Sequence, residues 1–289
     1  MPELLLHTIY HTLLDTAKLL PFLFLTYLLM EYLEHRSGGA TERILRGSGK
    51  VGPLFGSLLG ALPQCGFSAA AAGLYAGRVI TAGTLIAVFL STSDEMLPIM
   101  LSSGAPVGKL LSILGVKIVI GIAAGFAVDG ASRLLCRQDR FDEQQIEDIC
   151  ERENCHCGDR FVLSALKHTG YVAIFILIVS FLLNLTVELV GEDALASLLS
   201  DRPVLGNLLA ALVGLIPNCA SSVVLTQLYL GGVIPVGAML SGLLVNSGIA
   251  LTILFRNNRP VRDSLRILAL LFCIGLGAGI LVDLLGFLA

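Results

Sequence analysis

The chain has 289 residues, of which 55% are apolar and only 14% are charged, and its formal net charge is −3. With a mean hydropathy of +0.84, this composition excludes an ordinary water-soluble surface, and the small net charge gives no reason to expect a nucleic-acid partner. Backbone groups in lipid must be hydrogen-bonded within the chain, and the polar and apolar alternation of a membrane barrel is missing. We therefore predict an all-α polytopic membrane protein of about ten helices.

The first half is predicted to begin with a membrane helix at about 12–34. We expect this helix to be retained, because the N-terminus lacks the basic region and the cleavage site of a signal peptide. A basic loop at 36–50 is followed by four apolar stretches, each too short to cross a bilayer, which takes about 20 residues. These stretches lie at roughly 51–63, 66–77, 79–91 and 94–103. They should be paired, broken or re-entrant, and a long span at 106–134 follows them.

The second half repeats this order after a hydrophilic segment. It opens with a span at about 162–187 and an acidic loop after Glu188, and it closes with a span at about 264–288. Its four short apolar stretches lie at 204–217, 219–231, 233–245 and 247–255. The predicted organisation is a first transmembrane repeat at 1–135, a loop at 136–160 and a second repeat at 161–289.

An ungapped shift of 154 residues, from Cys65 to Cys219, places 60–99 on 214–253. Apolar bias alone predicts chance matches of Leu, Val and Ile. It does not predict that Pro63, Cys65, Tyr75 and three glycines should also meet their own residue types. This self-similarity indicates an internal duplication.

Lysine and arginine in short loops indicate the cytoplasmic side of a membrane protein. The basic loops at 36–50 and 256–266 are therefore predicted to be cytoplasmic, and the acidic loop at 189–203 to lie outside. The loops at 36–50 and 189–203 occupy equivalent positions in the two repeats but are predicted to lie on opposite sides of the membrane. The repeats should therefore be inverted. The same reasoning places the 136–160 loop in the cytoplasm and both termini outside the inner (plasma) membrane.

Each repeat contains a proline followed by an amide and a cysteine, in Pro63-Gln64-Cys65 and in Pro217-Asn218-Cys219. A proline removes a backbone hydrogen bond and clashes with the preceding turn, so both segments should break near mid-membrane. Broken helices in lipid are tolerated where the freed backbone groups line a polar cavity, as in inverted-repeat transporters. The alternative is a proline kink with inert, buried cysteines.

A second polar break, Ser91-Thr92-Ser93, is followed by Asp94 and Glu95, whereas its counterpart after Asn246-Ser247 carries no charge. A charge at the bilayer centre costs roughly 2.5–3.5 kcal/mol, so a carboxylate there is by default a functional candidate. The alternative places both acids at an interface, in contact with water.

These segments together provide candidate metal ligands around one pseudo-symmetric centre. The set comprises Gln64, Cys65, Ser68, Ser93, Asp94, Glu95, Asn218, Cys219, Ser222, Asn246 and Ser247. Soft thiolates favour zinc, cadmium or trivalent arsenic, whereas carboxylate and amide oxygens suit manganese or magnesium. The mixture indicates a metal or metalloid ion and leaves its identity open.

Two further groups of residues carry candidate roles. Asp15 and Lys18 lie three residues apart on the first helix and can pair there, as a proton relay or as a structural pin. The loop contains Cys150, Cys155, His156 and Cys157, which have the ligand types of a zinc-like site. We expect this cluster to capture or sense a thiophilic ion, and the alternative is a flexible acidic linker with incidental thiols.

The sequence shows no phosphate-binding loop that would indicate nucleotide-driven transport, because Gly47-Ser48-Gly49-Lys50 lacks the first glycine and the hydroxyl residue of that motif. Transport is therefore predicted to be secondary or coupled to a partner. We expect neither an enzyme nor a prosthetic group.

The segments at 60–68, 91–95 and 217–222 read GALPQCGFS, STSDE and PNCASS. In these segments, in its Cys-His-Cys loop and in the start of its first span, the chain resembles the ten-helix heavy-metal exporters. That family is related to arsenic efflux permeases and is sometimes labelled a manganese transporter. The resemblance covers nearly the whole chain and implies metal export, while Asp94 and Glu95 favour a divalent cation.

The leading hypothesis is a proton-coupled, alternating-access exporter of a divalent heavy-metal ion such as Mn²⁺. The nearest alternative is an arsenite or organoarsenical efflux permease that uses thiols. Alternatives from another class are a membrane thiol redox enzyme that cycles Cys65 and Cys219, and a metal sensor that uses the 136–160 loop. The expected partners are the bilayer, the ion, protons and a second copy of the chain in a homodimer.

Overall fold

A computed structural model describes residues 51–63, 65–93, 96–135 and 203–286, with further helical positions inside 13–28 and 166–181. Within these residues all regular secondary structure is helical, which confirms the predicted all-α class. The bounded helices of the first half are α1 (Gly52–Gly60), α2 (Cys65–Ala76), α3 (Ala82–Ser91), α4 (Met96–Ser102) and α5 (Val107–Leu135). Those of the second half are α6 (Pro203–Gly214), α7 (Cys219–Leu230), α8 (Val236–Val245), α9 (Ala250–Asn257) and α10 (Val261–Leu285).

The duplication extends beyond the segment that the sequence match covers. Helices α2 to α5 begin at residues 65, 82, 96 and 107, and α7 to α10 begin 154 positions later at residues 219, 236, 250 and 261. The five helices of each half therefore correspond one to one, α1 with α6 through α5 with α10. The match at the element starts shows that the duplicated unit includes the long closing helix.

Helices α1 and α2 form a hairpin that enters the protein and returns to the side from which it came. Gly52 at the start of α1 lies against Thr84 in the first turn of α3, and Gly60 at its end lies against Ser91 at the end of α3. Since α2 leads into the start of α3 through a short turn, α2 must run back along the path of α1. The prolines after α1 and α6 thus mark the tips of re-entrant hairpins.

The next two helices of each half form one interrupted span. Four helical stretches of the described residues are long and apolar enough to cross a membrane, at Ala82–Ser102, Val107–Ser132, Val236–Asn257 and Val261–Leu285. The first combines α3 with α4 and the third combines α8 with α9, and both are mostly buried within the protein. The other two are α5 and α10, which are continuous and mostly exposed on the outside of the helical body.

The two repeats run in opposite directions through the membrane. Arg78, in the turn before α3, forms an ion pair of 3.3 Å with Asp263 at the start of α10. Three residues further on, Thr81 donates a hydrogen bond of 2.8 Å to Asp129 near the end of α5. The end of α5 and the start of α10 therefore lie on the same side of the membrane. Because α5 and α10 are equivalent helices, the repeats are inverted.

Two equivalent carboxylates attach the long helices to the starts of α3 and α8. Asp129 accepts from the Gly83 amide at 2.9 Å, and Asp283 accepts from the Gly237 amide at 2.8 Å. These amides are among the first in their helices and have no partner within the helix, so the carboxylates satisfy them and face the positive end of the helix dipole. Neither glycine has room for a Cβ, since the backbone of the facing long helix lies against it.

The two halves interlock in the core. One cluster of buried apolar side chains joins α2 and α3 to α9 and α10, and a second joins α4 and α5 to α6, α7 and α8. In both clusters the hairpin of one half packs against the interrupted span of the other. Helix α10 begins slightly before the predicted 264–288 span, directly after Pro260, because its polar first turn is held by the contacts of Asp263.

Candidate functional site at the helix breaks

The break after α3 is lined by three buried hydroxyl side chains. Ser91 and Thr92 donate hydrogen bonds of 2.8 Å to the carbonyls of Ala87 and Val88, and Ser93 donates one of 3.0 Å to the Ser91 carbonyl. Thr92 leaves the helical conformation, with φ −52° and ψ 127°. The ten residues of α3 rise about 15 Å, half the thickness of a hydrocarbon core of about 30 Å. The break therefore lies at mid-membrane.

The equivalent break after α8 is also buried but is hydrogen-bonded differently. Asn246 ends the helix with φ −74° and ψ 108°, and its Oδ1 accepts from the Gly248 amide at 2.8 Å. The Ser247 side chain is fully buried, and its hydroxyl has no hydrogen-bond partner in the part of the chain that the structure describes. Burying a hydroxyl without a partner is costly, so Ser247 is available to a ligand.

A buried lysine connects the two breaks. The side chain of Lys117, in the middle of α5, is fully buried. Its ammonium donates hydrogen bonds to the Thr92 carbonyl at the end of α3 and, at 3.3 Å, to the Leu243 carbonyl in the last turn of α8. Lys117 lies ten residues into α5, about 15 Å from the start of that helix. The lysine therefore reaches the mid-membrane ends of half-helices from both repeats.

The physical reason for this contact is the polarity of helix ends. The last carbonyls of a helix have no partner within it and carry the negative end of the helix dipole. The ends of α3 and α8 meet at mid-membrane, where no bulk water is present to satisfy them. The ammonium of Lys117 neutralises both ends at the same place.

The two hairpin tips reach the same level. Gly60 lies against Ser91 and the backbone of Val88, and the equivalent Gly214 lies against the backbone of Gly242. Helices α2 and α7 start at these tips with Cys65 and Cys219, so each cysteine begins a half-helix at mid-membrane. Because α2 packs on α9 and α7 on α4, the hairpin of each repeat lies beside the interrupted span of the other.

The arrangement of inverted repeats, re-entrant tips and interrupted spans agrees with the comparison to protein families. A family model described as "Putative, 10TM heavy-metal exporter" matches residues 6–158 and 131–256. The chain belongs to this family. No curated protein and no solved structure matches the chain. The family assignment confirms the resemblance expected from the sequence and makes the protein, in general terms, a metal efflux transporter.

Six of the predicted ligands of this exporter have side chains that the structure describes, and all six are buried. They are Ser68, Ser93, Asn218, Ser222, Asn246 and Ser247. The structure distributes them over the two hairpins and the two breaks, as the repeat predicts. Except for Ser247, they already take part in hydrogen bonds or other contacts.

The other predicted site residues lie outside the described part of the chain. These are Gln64, Asp94 and Glu95, the side chains of Cys65 and Cys219, the pair Asp15 and Lys18, and the loop residues Cys150, Cys155, His156 and Cys157. Among the described residues no group of three or more His, Cys, Asp or Glu side chains is close enough to hold a metal. The predicted ligand set therefore stays a prediction.

Sequence reasoning missed Lys117 and the carboxylates Asp129 and Asp283. The signal for Lys117 was its position as the only charged residue between 110 and 128, in the middle of the long apolar span at 106–134, because a charge at that depth marks a functional candidate in a membrane protein. The signal for the two aspartates was their equivalence under the shift of 154 residues, which continues beyond the matched segment 60–99.

Proposed function

We propose that the protein is a secondary transporter that exports a divalent heavy-metal ion such as Mn²⁺ in exchange for protons, by alternating access. The observation that best supports this proposal is the meeting of two interrupted spans and two hairpin tips at mid-membrane. Helices broken at that depth leave backbone groups free to bind an ion, and inverted repeats place such sites between two equivalent halves.

The charge at this centre attracts a cation only if the carboxylates of Asp94 and Glu95 contribute to it. Lys117 brings one positive charge to the breaks. Asp94 and Glu95 follow directly after Thr92 and Ser93 in the sequence, and Lys117 binds the Thr92 carbonyl. Two carboxylates and one ammonium give a net charge of −1, which attracts a cation.

The roles of the remaining candidates follow from this proposal. Hard oxygens from Asp94, Glu95, Asn246 and Ser247 would select a manganese-like ion, and the thiols of Cys65 and Cys219 at the hairpin tips would add affinity for softer metals. The other tip and break residues, Gln64, Ser68, Ser93, Asn218 and Ser222, would complete the polar lining.

Two groups would act away from this centre. Asp15 and Lys18 would couple proton movement to transport, and the loop thiols with His156 would capture the ion in the cytoplasm.

The proposal is tested by measuring ion uptake into inside-out vesicles, in which export appears as accumulation. We expect proton-gradient-dependent Mn²⁺ uptake by the wild type and a loss of at least about tenfold in Asp94→Asn and Glu95→Gln, because each change removes a negative charge from the centre. Asp15→Asn should abolish the dependence on the proton gradient.

Cys273 provides a matched control for the thiols, because it is a free, exposed cysteine on α10. Cys273→Ser should transport like the wild type, while Cys65→Ser should reduce uptake of soft ions more than uptake of Mn²⁺. If arsenite is transported, unaffected by Asp94→Asn and abolished by Cys65→Ser, the protein is a thiol-dependent arsenic permease and the cation proposal is wrong.

A further inference from the structure

The ends of α3 and α8 have the chemistry of a cation site in their own right. Each contributes a backbone carbonyl, from Thr92 and from Leu243, and the ammonium of Lys117 lies between them. We propose that these two carbonyl ends form a monovalent-cation site at mid-membrane, and that Lys117 is its built-in occupant. This site is distinct in role from that of the exported ion, and it predicts that the wild type needs no alkali ion to join the two half-helix ends.

The chemistry of the carbonyls supports this inference. Backbone carbonyl oxygens in a membrane protein bind alkali ions by replacing their hydration shell, and an ammonium group binds the same oxygens through its N–H bonds. Ser247 adds a further oxygen four residues after Leu243, and its buried hydroxyl has no partner among the described residues. A cation that replaced the ammonium would therefore find two carbonyls and have one uncommitted hydroxyl in the same break.

The packing argues that the positive charge is required at this place. Two helix C-termini that face each other in a low-dielectric environment repel, since both carry partial negative charge. A lysine buried in the membrane is itself costly, by roughly 2.5–3.5 kcal/mol on insertion scales. Contact between the lysine and both ends reduces both costs, and its side chain is completely buried there.

The lysine has no charged counterpart in the second repeat. The residue equivalent to Lys117 is Leu271 in α10, which is fully buried in the apolar core. A lysine at position 271 would, by the same symmetry, reach the carbonyls of Asn246 and Phe89, which are the equivalents of Thr92 and Leu243. The same two half-helix ends can therefore be bridged from either long helix.

The test compares the thermal stability of purified wild type and Lys117→Met in NaCl, in KCl and in N-methyl-D-glucamine chloride at equal ionic strength. Methionine keeps an unbranched apolar side chain without the charge. We expect the wild type to have the same Tm in all three salts. Lys117→Met should have a lower Tm in N-methyl-D-glucamine, and Na⁺ or K⁺ should raise it saturably by about 5–10 °C, since a ligand that binds only the folded state stabilises it.

A charge-swapped variant provides the matched control. Lys117→Leu combined with Leu271→Lys moves the ammonium to the equivalent position, and we expect it to regain stability and to lose the response to alkali ions. Equal Tm values for Lys117→Met in all three salts would overturn the proposal. If Lys117→Met cannot be purified in any salt, the swapped variant decides: recovery of folded protein supports the proposal and failure to recover it refutes the proposal. No transported metal is present in these measurements, so their outcome is independent of the export assay.

Discussion

Replacing Asp129 by alanine should destabilise the protein strongly, because this carboxylate joins α5 to the start of α3. It accepts from the Gly83 amide at 2.9 Å and from the Thr81 hydroxyl at 2.8 Å. A hydrogen bond to a charged group contributes about 1.5–3 kcal/mol, so the two bonds together contribute about 3–6 kcal/mol. The Thr81 hydroxyl keeps a second partner, Thr84 Oγ1 at 2.8 Å, which lowers the expected loss to about 2–4 kcal/mol.

The assay is the fraction of protein that stays monodisperse by size-exclusion chromatography after heating in detergent. At about 2–4 °C per kcal/mol, Asp129→Ala should lower the apparent Tm by about 4–16 °C. Asp129→Asn should lose less, since its amide oxygen can still accept from Gly83. The exposed Ser132, one turn further along α5, gives the control Ser132→Ala, which should stay within about 0.5 kcal/mol of the wild type.

The equivalent variant Asp283→Ala tests whether the role belongs to the repeated architecture. Asp283 accepts from the Gly237 amide and, at 2.8 Å, from the Asn207 side chain. The two single losses should be similar, and they should add in the double variant because the sites lie on opposite sides of the membrane. A Tm of Asp129→Ala equal to that of Ser132→Ala would refute the reasoning.

Two more pairs of variants separate partnered from unpartnered hydroxyls by the same heating assay. Ser247→Ala should leave Tm unchanged or raise it while weakening ion uptake, because its buried hydroxyl has no partner among the described residues. Ser241→Ala should instead lower the stability by about 1–3 kcal/mol, since the Ser241 hydroxyl donates a hydrogen bond of 2.7 Å to Asn207. Tyr229→Phe should likewise leave Tm unchanged, because the buried Tyr229 hydroxyl has no partner among the described residues. The equivalent Tyr75→Phe should lower the stability by about 1.5–3 kcal/mol, since it loses a hydrogen bond of 2.7 Å to Asp263. Equal losses of stability within either pair would contradict these assignments.

The class of fold and the internal repeat could be predicted because both are written in local features. The high mean hydropathy indicates that most of the chain lies in lipid, where the backbone must form helices to satisfy its hydrogen bonds. The matching Pro63 and Pro217 marked equivalent helix interruptions in the two repeats. Segment lengths also restricted the short apolar stretches to broken or re-entrant arrangements. These conclusions need no knowledge of which segments touch.

The direction of each short segment was decided by tertiary contacts alone. A short apolar stretch that crosses half the membrane and one that turns back have the same length, so the sequence does not distinguish them. Only the approach of Gly52 to Thr84 and of Gly60 to Ser91 shows that α1 and α2 form a hairpin. The inverted orientation, expected from loop charges, likewise acquires its structural basis from the contact between Arg78 and Asp263, 185 residues apart.

The sequence by itself determined that the protein is a duplicated helical membrane protein with paired polar breaks, because composition and self-similarity act residue by residue. Only the tertiary structure decided what those breaks contain. Lys117 reads in the sequence as the charge nearest the middle of an apolar span. Its partners belong to different segments, Thr92 at 25 residues and Leu243 at 126 residues away. Such a contact depends on how two inverted halves pack, and the packing places a cation where two helix ends meet.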